Sequence, residues 1–422
     1  MKKIDYKGLQ LDVFYEKLDN GLEVFVLPKK NVNNIYVTFS TKYGSNIIEF
    51  KPLNQKELVK VPIGIAHFLE HKMFEQEDGT DIFSFYSERG ADCNANTNYT
   101  KTSYLFSSPN FLEENLNMLL DYVQKPYFTD DNVEKEKGII TQEIKMYQDM
   151  PGTVIYDKIL ENTFNVNPMQ YPIIGTIESI NSITKDDLYT CYNTFYHPAN
   201  MFIVIVGNVE ANEVIDIVKT NQDKKHFEDF TPIKIKKYDE PKQVKKTDET
   251  IKLNVTIPKC AIAYKIKINK NIKDLFYLLA LFDCKFSSTS DFVSDLFDEE
   301  IINDNLTIDF DNSTDYTIMF VLGETTKPDV LLNRIKKEME NLTISEEEFN
   351  RKKKVLLSSS IYMSENIFSL NNDIVNDLIK YGKFNNDKYN DIKSLNYKDF
   401  CKLIKNIDFS NYTTLIIEPK SK

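Results

Sequence analysis

Runs rich in Val, Ile and Phe and bounded by turn formers mark the first regular elements, and Leu22 to Leu27 and Asn34 to Thr41 both read as strands. A charged excursion follows. After Pro62 and Gly64 the segment IAHFLEHKMF places apolar side chains around a helix, Asp78-Gly79 closes it, and a second helix fits Thr80 to Arg89 before Gly90. The stretch ADCNANTNYTKTSYLFSS then alternates polar with apolar or aromatic residues at period two, the pattern of a half-buried strand. Helical spacing returns from Asn110 to Tyr122 and from Asp130 to Asp149, where Val133, Ile140, Ile144 and Tyr147 lie on related faces. Pro151 and Gly152 are expected to end that helix. Further helices fit Tyr156 to Phe164 and Thr184 to Phe195, the latter capped by Thr184, and a strand beginning at Met201 completes the pattern.

Between about residues 221 and 250 the chain is rich in Lys, Asp and Glu, carries Pro232 and Pro241, and offers little to pack, so it reads as a linker. Beyond it the order repeats in outline. Strands fit near Ile251 to Ile268, helices near Lys273 to Phe286 and Ser290 to Asp298, a strand near Tyr316 to Leu322, and long helices from Asp329 onward. A chain of 422 residues exceeds one ordinary core, since cores stop growing at roughly 250 to 300 residues. The expected division is therefore 1–220, a linker at 221–250, and a second domain at 251–422.

Composition adds exclusions. With 41% hydrophobic and 27% charged residues the chain belongs with globular proteins. A net charge of -12 argues against nucleic acid and against an anionic membrane surface, both of which call for clustered Lys and Arg. The five cysteines are scattered, with no C-x-x-C pair, and read as reduced thiols rather than a disulfide framework or thiolate zinc site. No stretch of about 18 apolar residues could span a bilayer. The N-terminal MKKIDYKGLQLDVFYEKLDNG has no continuous apolar core of a secretory signal, and its acidic residues and lack of Arg disfavour a mitochondrial presequence. The expected compartment is the cytoplasm.

The chemistry concentrates in His67-Phe68-Leu69-Glu70-His71. Residues four apart on a helix share a face, so both imidazoles can reach one cation. Neutral imidazole suits Zn²⁺, and a catalytic site needs three protein ligands with a fourth position open. Glu70 stands where its carboxylate can accept a proton without joining the ligands, which is the inverted order H-x-x-E-H. By accident alone, that spacing with Glu in the right slot is expected in roughly a few chains per thousand. A closed structural zinc site would call for Cys or further His, and no suitable Cys lies nearby. The third ligand is expected to be a carboxylate: Glu136 and Glu143 lie two turns apart on one helix face, and spacing leaves open which of them ligates.

GIAHFLEHKMFEQ, ADCNANTNYTKTSYLF, EKEKGIITQEIKMYQDMP and YPIIGTIESINSITKDDLYTCYNTFYHPANMFIVIVGNV together resemble, in order and spacing, the pitrilysin family of inverted-motif zinc peptidases. That family includes insulysin and mitochondrial processing peptidase, and the resemblance covers most of residues 20 to 210. It implies an α+β fold of two similar domains, each a mostly antiparallel sheet packed with helices, together forming one half of a clamshell. By the same resemblance Glu143 is the third zinc ligand, Glu136 a supporting carboxylate, Glu70 the general base, and Asn94, Ala95 and Asn96 part of a strand edge that pairs with extended substrate. An unpaired edge suits that task, because its backbone groups bind a peptide with little demand on its sequence. The implied activity is zinc-dependent endopeptidase action on peptides or unfolded segments.

One departure bears on partners. Catalytic members of that family use an Arg and Tyr pair from the domain facing the zinc, whereas the corresponding stretch here, SSTSDFVSDLFDEEIINDNLTIDF, holds neither residue. The second domain's arginines are Arg334 and Arg351, on later helices. The expectation is a homologous partner subunit, with a heterodimer preferred over a homodimer, as for the zinc-motif member of paired bacterial peptidase-like proteins. The competing expectation is a non-enzymatic peptide-binding or scaffold subunit.

Overall fold

The computed structural model describes residues 1–53, 55–268 and 271–420. In chain order the strands are β1 (Lys2–Tyr6), β2 (Leu11–Lys17), β3 (Glu23–Pro28), β4 (Ile35–Thr41), β5 (Glu49–Lys51), β6 (Val59–Lys60), β7 (Asp92–Thr97), β8 (Thr102–Ser108), β9 (Met201–Gly207) and β10 (Lys234–Ile235). Seven of them form one sheet in the order β1-β2-β3-β9-β4-β8-β7, while β10, β5 and β6 pair in a small sheet of their own. β4 and β9 lie at the middle of the large sheet and are buried along their whole length, which explains the nearly unbroken apolar run of β9. β1 and β2, which the apolar pattern did not reveal, read KKIDY and LDVFYEK. Their charged positions suit a solvated sheet edge.

The helices nearest the candidate chemistry are α1 (Ile65–Lys72), α2 (Ile82–Ser87), α3 (Leu112–Val123), α4 (Asp130–Gln148) and α5 (Pro151–Thr163). Pro151 and Gly152 open α5 rather than merely ending α4, since proline's fixed φ and missing N–H suit the first helical turn. The stretch expected as one strand is a hairpin. Asn98 makes it turn: its Oδ1 accepts the backbone N–H groups of Thr100 and Lys101, both at 2.8 Å. On the large sheet lies the helix Ile367–Tyr381, which packs on β9 and β4. Its fully buried Asn371 donates to the Val204 carbonyl at 2.9 Å and accepts the Thr38 hydroxyl at 2.8 Å.

The second sheet comprises β11 (Asp248–Leu253), β12 (Lys259–Ile266), β13 (Thr307–Asp311), β14 (Thr317–Glu324) and β15 (Tyr412–Pro419), in the order β11-β15-β12-β14-β13. β11 runs parallel to β15, and the remaining pairs are antiparallel. The first sheet holds the same arrangement: β3 parallel to β9, then β9, β4, β8 and β7 antiparallel in turn. In both, the spatial order is first, fifth, second, fourth, third strand of the set. The chain is thus an α+β protein of two similar, mostly antiparallel sheets packed with helices.

The compact units do not follow chain order. One is Met1–Ile144, Pro172–Lys237 and Ile361–Lys388; the other is Lys145–Tyr171, Tyr238–Ser360 and Tyr389–Lys422. Residues 221–250, read above as linker, contain structure that their charge concealed. β10 pairs with β5, and Glu240 accepts the backbone N–H groups of Asn165, Val166 and Asn167 at 2.8–2.9 Å as well as the buried Lys265 ammonium at 2.6 Å. A charged residue reads as solvated in sequence unless its partner is known. Among the described residues no helix is long and apolar enough to cross a membrane, and the five cysteines are free thiols.

Candidate metal centre

Gly64 admits the chain to α1 with φ 87°, and a Cβ there would come within 2.5 Å of the Ile174 carbonyl, so glycine is required. Ile65, Ala66, Phe68 and Leu69 are buried and fix the helix's rotation. That rotation brings His67 and His71 side by side, ring centroids 4.6 Å apart. On α4 the buried Val133, Ile140 and Ile144 fix the helix's rotation in the same way, and Glu136 and Glu143 reach the histidines.

Nε2 of His67 lies 3.8 Å from Oε1 of Glu143, and Nε2 of His71 lies 3.6 Å from Oε2. One ligand atom from each of the three residues falls within 4.8 Å of the other two. Two ligands at 2.0–2.2 Å from a tetrahedral zinc ion stand about 3.4 Å apart, so the donor set fits that ion after small adjustments. Nδ1 of His71 faces Oε1 of Glu136 at 3.1 Å, leaving its Nε2 for the centre. Spacing left Glu136 and Glu143 as alternatives; in the structure Glu143 faces both Nε2 atoms and Glu136 the far side of His71.

Burial, with His71 adding to it, pushes the His67 imidazole down to about 3, so it stays neutral and able to ligate. Burial also works to lower His71, but the hydrogen bond it donates to Glu136 and the carboxylates of Glu136, Glu143 and Glu70 prevail and raise it. The Glu70 carboxyl is raised chiefly by burial, against opposing hydrogen bonds from Thr97. Its Oε2 is buried without a hydrogen-bond partner among the described residues. A buried carboxylate anchored through Thr97, with an oxygen to spare, is suited to proton transfer.

β7 forms the outer edge of the large sheet. Asn98 N–H donates to the Lys101 carbonyl, so the alternation of antiparallel pairs turns the backbone groups of Cys93, Ala95 and Thr97 outward. Ala95 N–H is held by the Asn94 side chain at 2.8 Å, while the Asn94 and Asn96 side chains are exposed. The edge groups are thus backbone ones of Ala95 and its alternate neighbours. Thr97 was missed by sequence reasoning, although period-two alternation from Ala95 points to it. The stretch 287–310, which lacks Arg and Tyr, folds in part as a helix, Asp291–Asp298, and Arg334 is engaged in an ion pair with Glu299.

Residues 60–177 match the insulinase family, peptidase family M16, and residues 182–356 match the peptidase M16 inactive domain. The chain is 43% identical to the uncharacterized zinc protease YmfH of Bacillus subtilis (strain 168), over 84% of this chain and 85% of that protein. Its fold is similar to the crystal structure of an M16-like peptidase from Alicyclobacillus acidocaldarius, with TM-score 0.92, 30% identity, and 98% and 99% of the two chains covered. A protease from Helicobacter pylori shares the fold at TM-score 0.84 and 20% identity, over 96% of this chain and 99% of that one.

Proposed function

Since this chain belongs to the insulinase family of peptidases, family M16, we propose that it is a zinc-dependent endopeptidase whose metal is held by His67, His71 and Glu143. The observation that carries this reading is the approach of those three ligand atoms to within 4.8 Å, with the spare Glu70 oxygen on the same helix. Bound zinc would polarise the scissile carbonyl and make a water more acidic. Glu70 takes the proton from the attacking water and later gives it to the leaving amine. Thr97 orients Glu70, and Glu136 holds the His71 ring. An extended peptide or unfolded segment adds to β7 as a further strand, taking the outward groups of Ala95 and its neighbours beside Asn94 and Asn96. A homologous partner, in a heterodimer before a homodimer, supplies the missing clamp, and the cytoplasm is the expected compartment.

The lack of Arg and Tyr in residues 287–310 favours one second reading, a metal-holding subunit that captures peptides without cleaving them. Glu70→Gln separates the two. In the complex recovered from the native host, an enzyme keeps its zinc and loses turnover in the variant. A capturing subunit shows zinc in both proteins and turnover in neither.

A further inference from the structure

We propose that Lys72 is a positioning residue of the metal centre: its ammonium locks the Glu136 carboxylate against His71 and thereby sets how tightly zinc is held. This rests on the metal-site reading above. Lys72 follows His71 in α1, and its side chain is 0% exposed. Its Nζ pairs with Glu75 and donates to the Asn132 carbonyl of α4 at 3.3 Å. It also stands 3.7 Å from Oε2 of Glu136, whose other oxygen meets Nδ1 of His71 at 3.1 Å. One carboxylate therefore spans two consecutive residues of α1, taking the metal-side histidine with one oxygen and the buried cation with the other.

The placement has a cost that asks for a reason. A buried ammonium is expensive unless it is paired and hydrogen-bonded, and an apolar residue would fill the same space more favourably. Here the partners are chosen so that the cation ties α1, which carries two ligands, to α4, which carries the third. Glu136 meets His71 with one oxygen and is drawn to the Lys72 ammonium, 3.7 Å away, with the other, which opposes its turning and keeps the ring's Nε2 aimed at Glu143. With Lys72 gone, Glu136 keeps one contact and gains rotational freedom.

The test is the zinc dissociation constant, read by competition with a chromophoric chelator, for the full chain and for Lys72→Met, Lys72→Arg, Glu136→Gln and the double variant K72M/E136Q. The expected result is about tenfold weaker binding in Lys72→Met, in the range found for groups behind metal ligands. Lys72→Arg recovers most of it, and adding K72M to E136Q changes affinity less than about twofold, as expected for residues that act through one another. Unchanged affinity in Lys72→Met, or an equal loss in both backgrounds, overturns the proposal. Failure of the unsubstituted chain to bind zinc would instead remove the metal-site reading itself. If Lys72→Met does not fold, the Lys72 ammonium resonance carries the test: it must shift between the unsubstituted chain and Glu136→Gln, and an unmoved signal overturns the proposal.

Discussion

Nδ1 of His71 rests 3.1 Å from Oε1 of Glu136, whereas Nδ1 of His67 is buried without a hydrogen-bond partner among the described residues. The two imidazoles are thus held by different means, one by a carboxylate and the other by packing. Glu136→Gln keeps an acceptor of the same shape, so zinc affinity should fall about 10- to 100-fold with one ion per chain still bound at saturation. Glu143→Ala removes a ligand and should fall beyond that range. Chelator competition with metal analysis reads both; equal losses would mean that Glu143 does not ligate.

Ala95 turns its N–H to the open edge of β7, where a proline breaks no ladder bond and releases only the exposed Asn94 side chain. Ala95→Pro should leave zinc content unchanged and stability within about 0.5 kcal/mol. Peptide cleavage by the native complex should drop at least about tenfold, the scale of one lost backbone hydrogen bond. Undiminished cleavage would exclude β7 as the docking strand.

Asn371 bridges β9 and β4 from the helix above them, fully buried. Asn371→Ala leaves the Thr38 hydroxyl and the Val204 carbonyl without that partner, a loss of about 2–4 kcal/mol. Urea unfolding followed by circular dichroism should show a lower midpoint with an unchanged slope.

Asp157 in α5 carries a carboxyl that burial lifts to about 6, with Lys158 pulling weakly the other way. An unfolded aspartate titrates near 3.9, so between about pH 4 and 6 the folded chain keeps a proton that the unfolded chain has released. Stability must therefore fall as pH rises through that window, by up to about 3 kcal/mol. Asp157→Asn should melt above the unsubstituted chain at pH 7.5 and together with it at pH 4. A constant difference at both values would mean that the Asp157 carboxyl does not titrate in that window.

The helix that carries both histidines was legible because its information is local: four-residue spacing fixes which side chains share a face and Gly64 opens the segment, although α1 ends at Lys72, before Asp78-Gly79. Glu143 needed the family resemblance, since nothing in residues 130–149 says which carboxylate turns toward α1. Thr97 and Lys72 were not seen, because their roles depend on which strand and helix come together. The same limit explains residues 221–250, where the charge of Glu240 suggested solvent and the fold supplies it with the buried Lys265 of β12. It also explains why Ile361–Lys388 belongs to the first unit, where Leu370, Ile374 and Val375 pack on the large sheet and Asn371 meets Thr38 from far along the chain.

β15 lies inside its sheet, between β11 and β12. On the ribosome, the piece that joins these strands is delivered after all four of its sheet mates. Until residues 412–419 are synthesised, β11 has no strand to pair with and β12 presents a bare apolar flank, the kind of nascent edge that invites aggregation. Clipping those few residues would not trim a border; it would unzip the second sheet from within.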